Sequence, residues 1–513
     1  MSGVPVGWQL SNLEHLAKAM SGGTPSKSEP RYWTNGDIPW VSPKDMKTRS
    51  ITGAEDSITR DALERLSMIP ENSVLVVVRS GILSRTLPVA TTMIPVTINQ
   101  DMRAFHPEAG ISHEFLAWQL IANEREILAQ CSKDGTTVAS IEGNALAQFP
   151  IRVAPRAEQT RIVEKLEELL GGLDAAVAEL QAAQRKLALY RQSLLKAAVD
   201  GTLTAGWRAA KVKPQEPAAD LLQHILRERR ARWEDKQRAK FAAQGKPPPN
   251  GWQAKYPEPV APDTAGLPEL PEGWVWASVE QIASDQPYAL AIGPFGSNLI
   301  VSDYRGEGVP LVFVRNIRNR LYGGDATKFV SAQKAEELKA HQVSAGDVLV
   351  TKMGEPPGDA DVYPAGQPDA VITADCIKVR AQDGLMLAEY LAAAINSPMG
   401  ASQIKPMTQG VAQKKISLGR FSTFAVPLPP LEEQHAILEQ LDTALTACDA
   451  QQAAIAHGLK QAAAQRRNLL KAAFAGQLVP QDPGDEPASA LLARIRAAKA
   501  DNAGSTRAAR NAK

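Results

Sequence analysis

The chain has 513 residues, of which 44% are hydrophobic and 22% charged, so we expect two to four globular units that can each bury a core. The formal net charge of +1 excludes a globally basic nucleic-acid-binding protein, and any such surface must be local. The three cysteines are isolated, and no signal peptide or bilayer-spanning run is recognisable, so we expect a soluble cytoplasmic protein without zinc, disulfides or a membrane partner.

Residues 1–155 predict a strand-rich domain with an internal helix. Short β-branched runs such as Val74 to Val78 alternate with clusters of Gly, Pro, Asn and Asp that are typical of turns. The apolar spacing of residues 113–130 is helical instead. We therefore expect an α+β domain.

Residues 156–204 predict one long helix of a different composition. From Glu158 to Ala198 the chain is rich in strong helix formers. Leucines recur every seven residues, which is typical of a coiled coil: Leu166, Leu173, Leu180, Leu187 and Leu194. The positions three further on are Leu169, Ala176, Ala183, Tyr190 and Ala197.

Residues 205–266 form a polar connector. Residues 201–256 contain 12 Lys and Arg against 5 Asp and Glu. A basic run is often only a solvated face, but contact with DNA or a partner is the interpretation we favour here. Trp207, Trp233 and Trp252 are unusual in such polar sequence, and we expect them to dock the connector on a partner or on the long helices.

The rest of the chain repeats this order, with a second strand-rich domain at 267–430, a helix at 431–478 and a tail with a short helix at 479–513. RQSLLKAAVDGTL (191–203) and RRNLLKAAFAGQL (466–478) agree at eight of 13 positions, 275 residues apart. The sequence therefore predicts a tandem duplication. Pairing the two helices as an antiparallel coiled coil is the simplest way to bury both apolar stripes, although two coiled coils that bind other proteins remain an alternative.

Recognisable catalytic motifs are missing from the sequence. There is no G-x-x-x-x-G-K-[ST] loop for a nucleotide and no G-x-G-x-x-G cradle, and the Gly293–Ser297 glycines favour a tight backbone turn. No Asn-Pro-Pro-aromatic run of the kind that amino-methyltransferases use is present, and the seven histidines are scattered. We expect a chain that binds and does not catalyse, without a cofactor.

At this point the sequence resembles the specificity subunits of Type I restriction–modification systems over nearly its whole length. The resemblance depends on Gly-Trp openings at 7–8 and 273–274, on Gly-Gly-Thr-Pro-Ser-Lys at 22–27 with its counterpart at 293–297, and on Ile-Pro-Trp-Val at 38–41. It also depends on Val-Arg-Ser-Gly at 78–81, on P-x-x-E-Q helix starts at 155–159 and 430–434, and on Leu-Leu-Lys-Ala-Ala at 194–198 and 469–473. The first helix start has Arg156-Ala157 where the second has Leu431-Glu432, which we expect to alter only the cap.

This resemblance implies two target-recognition domains, each reading one half of an asymmetric, bipartite site in double-stranded DNA. It implies that the paired helices set the gap between the halves and bind two methyltransferase subunits, which use S-adenosylmethionine. Restriction subunits would supply ATP-driven translocation and cleavage. A helix from Ile162 to Ala198 would be roughly 55 Å long, which is sufficient for half-sites about 34–36 Å apart.

Residues for DNA contact are chosen by side-chain chemistry and by their position in turns or at strand ends. In the first domain they are Lys27, Arg31, Lys44, Arg79, Arg85, Lys133, Thr136 and Thr137. In the second domain they are Arg315, Asn316, Arg318, Lys352, Gln409, Gln413, Lys414 and Lys415. Tyr32, Trp33 and Trp40 are assigned to the core.

Two other functions are compatible with parts of the pattern. One is a non-catalytic coiled-coil scaffold that tethers protein partners alone. The other is a fused restriction enzyme, which the missing motifs disfavour. Sequence-specific, salt-dependent binding to duplex DNA distinguishes the first interpretation from the scaffold.

Overall fold

The computed structural model describes residues 3–133, 138–211, 216–318, 321–323, 326–410 and 414–511. Its strands are β1 (Gln9–Asn12), β2 (Ala17–Ser21), β3 (Ile38–Val41), β4 (Ser50–Ile51), β5 (Asp56–Ile58), β6 (Val74–Val77), β7 (Val89–Thr92), β8 (Thr97–Ile98), β9 (Met102–Pro107), β10 (Pro150–Val153), β11 (Val275–Ser278), β12 (Leu290–Ile292), β13 (Val309–Val312), β14 (Ile317–Arg318), β15 (Leu321–Tyr322), β16 (Phe329–Val330), β17 (Gln342–Val343), β18 (Val348–Thr351), β19 (Ala360–Val362), β20 (Ala370–Ile372), β21 (Cys376–Val379), β22 (Thr408–Gln409), β23 (Lys415–Ile416) and β24 (Ala425–Leu428).

Its α-helices are α1 (Leu13–Leu16), α2 (His113–Ala122), α3 (Glu124–Cys131), α4 (Gly143–Ala147), α5 (Arg156–Val199), α6 (Ala205–Ala210), α7 (Ala218–Ala243), α8 (Val279–Ile282), α9 (Ala332–Glu337), α10 (Ala388–Asn396), α11 (Pro398–Met407), α12 (Leu418–Phe421), α13 (Leu431–Phe474) and α14 (Ala488–Asn511). The mixture of short strands and long helices confirms the α+β class. Among the described helices, none combines the length and apolar character that crossing a membrane would need.

The chain forms two compact units. Unit 1 comprises Met1–Gln181 and Ala456–Lys513, and unit 2 comprises Ala182–Ile455. Because α5 and α13 both run through these boundaries, each unit contains one part of each long helix.

The sheets of unit 1 are built around β6. A five-stranded sheet has the order β2-β9-β6-β7-β4, a three-stranded sheet has the order β5-β3-β8, and β1 pairs antiparallel with β10. All four residues of β6 are buried. Val74 and Val76 enter one apolar cluster and Leu75 another, because successive side chains of a strand point to opposite faces.

The sheets of unit 2 repeat these pairings. β18 lies between β21 and β19 as β6 lies between β9 and β7. β13 pairs antiparallel with β16 and parallel with β20, as β3 pairs with β5 and β8. The recurrence of a mixed sheet with the same strand directions confirms the predicted duplication.

In unit 1 the repeated Trp and Glu-Gln residues attach the start of α5 to the sheet domain. The indole Nε1 of Trp8 donates to Oε2 of Glu158 at 3.0 Å. Gln159 accepts from the backbone N–H of Ser112 at 2.9 Å and donates to the Ala154 carbonyl at 2.9 Å. Both Glu158 and Gln159 are buried, so the P-x-x-E-Q sequence has a structural role.

The same contacts recur in unit 2 at the start of α13. Trp274 Nε1 donates to Oε2 of Glu433 at 2.8 Å. Gln434 accepts from the backbone N–H of Leu387 at 2.9 Å and donates to the Pro429 carbonyl at 3.1 Å. Each strand-rich domain is therefore fixed to the long helix that follows it by an indole–carboxylate bond and a buried amide.

The long helices pair antiparallel within each unit, as predicted. In unit 1, Asp174 of α5 forms an ion pair with Arg466 of α13. In unit 2, Arg191 of α5 forms an ion pair with Asp449 of α13. Asp174 and Asp449 are 275 residues apart, as are Arg191 and Arg466, so the two ion pairs are related by the repeat.

The helix seam is narrower than the heptad pattern predicts. Leu166, Leu187 and Leu194 are buried, whereas Ala176, Ala183 and Tyr190 from the second set of positions are exposed. In a pair of helices, each helix buries only one stripe of side chains on the other. Burial of a second, flanking stripe would need a third packing element.

The tail helix α14 completes the core of unit 1. Its apolar side chains enter the same cluster as Leu13 and Leu16, and they are Ala488, Leu491, Leu492 and Ile495. Lys499 donates to the carbonyls of Glu14 and His15 at 3.0 and 3.2 Å. The helix that follows α13 therefore packs on the strand-rich domain of the first repeat.

The connector helix α7 does the same in unit 2. Ala218, Leu222 and Ile225 enter the largest core of that unit. Arg229 donates to the carbonyls of Glu280 and Ala283 at 3.0 and 3.4 Å. Each strand-rich domain is thus covered by the helix that follows the long helix of the other repeat.

The connector tryptophans Trp233 and Trp252 pack against each other, instead of on the long helices. Their rings are stacked with centroids 5.8 Å apart, and Tyr256 and Phe241 meet them edge-on. The aromatic side chains therefore hold the Trp252–Tyr256 segment to α7.

Candidate DNA interface

In unit 1, two of the predicted cations lie on either side of Ser140 beyond the end of β6. Arg79 forms an antiparallel bridge with Ser140, and the backbone N–H of Lys133 donates to the Ser140 carbonyl at 2.9 Å. Both cations are exposed. We call Arg79, Lys133 and Ser140 cluster A. Thr136 and Thr137 lie outside the described residues.

Unit 2 has the corresponding arrangement beyond the end of β18. Lys415 pairs with Gln409 between β23 and β22 and bridges Met353, and it follows Ser140 of cluster A by 275 residues. Lys414, Lys415 and Gln409 are exposed; together with Lys352 they form cluster B. Lys414 forms an ion pair with Glu355 at 2.8 Å. Gln413 lies outside the described residues.

Lys352 is the buried member of cluster B. Only 8% of it is exposed, its Nζ donates to the Ala374 carbonyl at 3.1 Å, and the ammonium lies 4.4 Å from the ring centroid of Phe295. Burial lowers the pKa of Lys352, the charge of Asp375 opposes that shift, and the charge of Lys415 adds to it. Cluster B therefore holds one buried lysine beneath an aromatic ring.

Three further cations of unit 1 lie in or near the small β5-β3-β8 sheet. Lys44 contacts Asp56 at 2.9 Å and Glu55 at 3.2 Å, and the hydrogen bond to Asp56 raises its pKa. Arg31 is paired with Glu29 at 2.9 Å, so it and Lys44 already have carboxylate partners. Lys27 is exposed.

The other predicted residues lie apart from clusters A and B. Arg85 is exposed at the end of a 3-10 turn in unit 1. In unit 2, Arg315 stacks on Phe313 at 4.1 Å. Asn316 is 4% exposed, and its amide closes a turn with the Phe313 N–H at 2.9 Å and the Gly323 carbonyl at 3.2 Å. Arg318 belongs to β14, and its side chain is outside the described part.

Two residues next to cluster B were not selected from the sequence. Arg420 of α12 bonds the carbonyl of Met407 at 3.3 Å and lies beside the Gln409 amide. Phe295 is 56% exposed. Its motif was recognised, but only the three-dimensional structure reveals the lysine beneath the ring.

More than half of the chain matches a known protein family. Residues 5–181 and 316–461, more than half of the chain, match the model of the Type I restriction modification DNA specificity domain. The Escherichia coli Type I restriction enzyme EcoR124I/EcoR124II specificity subunit is 38% identical over 192 residues, which cover 36% of this chain and 48% of that relative. The chain thus matches about half the length of that relative.

Other similarities extend further along the chain. The Type I restriction enzyme EcoKI specificity subunit of Escherichia coli K12 is 21% identical over 525 residues, covering 98% of this chain and 97% of the relative. A solved chain, described under complex assembly and conformational transition of the type I R-M system, has a TM-score of 0.65 at 17% identity and covers 93% of this chain and 99% of its own. The shared fold and the family match together lead to one conclusion. The chain belongs to the family of Type I restriction modification DNA specificity domains.

Proposed function

We propose that this chain is the DNA-recognition subunit of a Type I restriction–modification system and that its two units read the two halves of a bipartite site in double-stranded DNA. The observation that supports this most directly is that exposed cations lie beyond the ends of two equivalent strands, β6 and β18, in clusters A and B. Lysine and arginine supply phosphate contacts, which position a protein on the duplex.

The site is asymmetric because the two clusters differ in chemistry. Cluster A offers an arginine and a lysine, and arginine can bond bidentately to guanine. Cluster B offers two exposed lysines and a glutamine, and glutamine suits adenine. Two readers with different side chains select different half-sites.

The long helices set the gap between the half-sites and bind two methyltransferase subunits, while restriction subunits join the assembled complex. Leu189 and Tyr190 of α5 are 71% and 52% exposed. Large apolar side chains on the outside of a narrow helix pair are suited to burial against another protein. The chain itself is non-catalytic and acts in the cytoplasm.

We retain six segments as the functional division of the chain. Recognition domains at 1–155 and 267–430 each precede a spacer helix, at 156–204 and 431–478. A connector at 205–266 joins the repeats, and a tail at 479–513 follows the second.

Binding of the chain with its methyltransferase subunits to duplex DNA tests this function. We expect a bipartite sequence to be preferred over a scrambled duplex, with affinity falling steeply as salt rises. Arg79→Ala and Lys415→Ala should each reduce the slope of log affinity against log salt by about 0.9, the value for one phosphate contact. Titrations from low to high salt measure the slope.

Lys165→Ala is the matched control, because the side chain of Lys165 on α5 is 40% exposed and paired with Glu168 at 2.7 Å. Its slope should equal that of the wild type. Absent or salt-independent DNA binding would reject DNA recognition in favour of a protein scaffold.

A further inference from the structure

The loop between β12 and β13 exposes an unusual amount of apolar surface. Phe295, Ile300 and Val301 are 56%, 48% and 80% exposed, all within seven residues. Single exposed apolar residues are ordinary, but a contiguous group marks an interaction surface. We call residues 293–303 the Phe295 loop.

The Phe295 loop is anchored at both ends. The N–H of Gly293 donates to the Cys376 carbonyl at 3.1 Å, and a Cβ at position 293 would lie 2.0 Å from the Thr373 carbonyl oxygen. At the other end, Asp303 forms an ion pair with Lys334 of α9 at 3.7 Å. A glycine is therefore required at the start of the loop, and Phe295 projects from a backbone that is fixed on either side.

One face of the Phe295 ring is occupied by Lys352. The Lys352 ammonium lies 4.4 Å from the ring centroid, and the residue is 8% exposed. A cation held against an aromatic face is attracted by the ring, and more strongly when the cation is desolvated. The lysine therefore supports the ring from inside the domain, while more than half of Phe295 is accessible from outside.

The charge around this ring favours DNA over protein as the ligand. Ile416 N–H donates to the Lys352 carbonyl at 3.0 Å, so the exposed Lys415 of cluster B lies on the strand next to Lys352. An aromatic surface beside exposed lysines complements a nucleobase beside its phosphates.

We propose that Phe295 contacts a nucleobase in the half-site read by unit 2, with Lys415 on a neighbouring phosphate. This inference depends on the proposed DNA recognition. The first repeat has Gly22-Gly23-Thr24 where the second has Gly293-Pro294-Phe295. A Cβ at Gly22 would lie 2.1 Å from the Asn99 carbonyl oxygen, so the close backbone approach is shared and the aromatic side chain belongs to one half only.

Phe295→Thr tests the proposal by introducing the residue found in the first repeat. One duplex carries the motif that the wild-type complex methylates. The others carry the same motif with a single base pair changed, one position at a time. We expect affinity for the unchanged duplex to fall roughly tenfold, within the range of one lost base–aromatic contact. Discrimination should be lost at one or two adjacent base pairs of one half-site, and the salt slope should stay constant because no charge is removed.

Two further variants make the result specific. Phe295→Leu keeps apolar volume without the aromatic face and should recover only part of the loss. Val260→Ala alters another exposed apolar residue of unit 2, 51% exposed, and should behave as the wild type. The proposal would be overturned if Phe295→Thr bound DNA with the affinity and base-pair discrimination of the wild type. That is the result expected if the loop binds a methyltransferase subunit instead of DNA. A wild type without motif preference would instead reject the proposed function itself.

Discussion

Deletion of residues 486–513 is expected to destabilise unit 1 severely while leaving unit 2 folded. The deletion removes Leu491, Leu492 and Ile495, which are 3%, 4% and 5% exposed, from the core around Leu13 and Leu16. Burying each such side chain is worth about 1.5–3 kcal/mol, so the three together contribute about 5–9 kcal/mol. That is comparable with the whole stability of a typical domain, about 5–15 kcal/mol.

Differential scanning calorimetry measures this effect, because the two units should unfold in separable transitions once one is weakened. Leu492→Ala is a milder version and should cost about 3 kcal/mol. Arg494→Ala lies on the same helix with a 60% exposed side chain and should change little. An unaltered calorimetric profile after the deletion would contradict the role of α14 in the core.

Glu433 and Glu158 are the buried carboxylates at the starts of α13 and α5. Replacing each with glutamine should change the stability of its unit in opposite directions. Glu433 is 2% exposed and accepts from Trp274 at 2.8 Å, from Thr204 at 2.7 Å and from Arg208. Glu433→Gln removes the negative charge that faces Arg208 and is expected to destabilise unit 2 by about 3 kcal/mol.

Glu158 has fewer partners. It is 1% exposed and accepts from Trp8 at 3.0 Å, whereas its Oε1 has no hydrogen-bond partner within the described residues. Thr204 and Arg208 donate hydrogen bonds to Glu433. The residues 275 positions later in the sequence are Val479 and Pro483. Glu158→Gln keeps the acceptor for Trp8 and removes a buried charge that Arg161, itself paired with Asp485 at 2.6 Å, compensates only in part. We therefore expect unit 1 to be as stable or more stable at neutral pH.

The pH dependence of the stability of unit 1 follows from the burial of Glu158. Burial raises the pKa of Glu158, so the folded state binds this proton more tightly than the unfolded state. Its contribution to stability is fully present below the unfolded pKa and is lost as pH rises through the folded pKa. The advantage of Glu158→Gln over wild type should therefore grow with pH across that window and then stay constant. Thermal unfolding from acid to neutral pH measures it, and equal losses in both Gln variants would contradict the account.

Much of this architecture is predictable from the sequence because the repeat is strong. The apolar stripe on each long helix predicts antiparallel pairing, and the structure adds two related ion pairs, Asp174 with Arg466 and Arg191 with Asp449. The destination of α14 is not predictable in the same way. An amphipathic helix needs an apolar surface, but its sequence does not say which of two similar domains provides it.

The DNA interface is less predictable because burial decides which polar residues are available. Asn316 and Lys352 have the right chemistry for DNA, yet both are buried by contacts with residues distant in sequence or in the following turn. Arg79 and Lys133 are 54 residues apart, and only their shared neighbour Ser140 brings them together. Composition shows which side chains could bind DNA, and tertiary contacts determine which are exposed together.

Methylome sequencing of a host that expresses this chain with its methyltransferase subunit tests the central claim most directly. We predict methylated adenines in one bipartite motif, with two different half-sites separated by a gap of fixed length and unrestricted sequence. Because each half is read by one unit, Phe295→Thr should relax only the half read by unit 2, whereas Lys415→Ala should weaken methylation of the same motif without changing it. A continuous motif, or methylation that does not depend on this chain, would contradict two-unit DNA recognition.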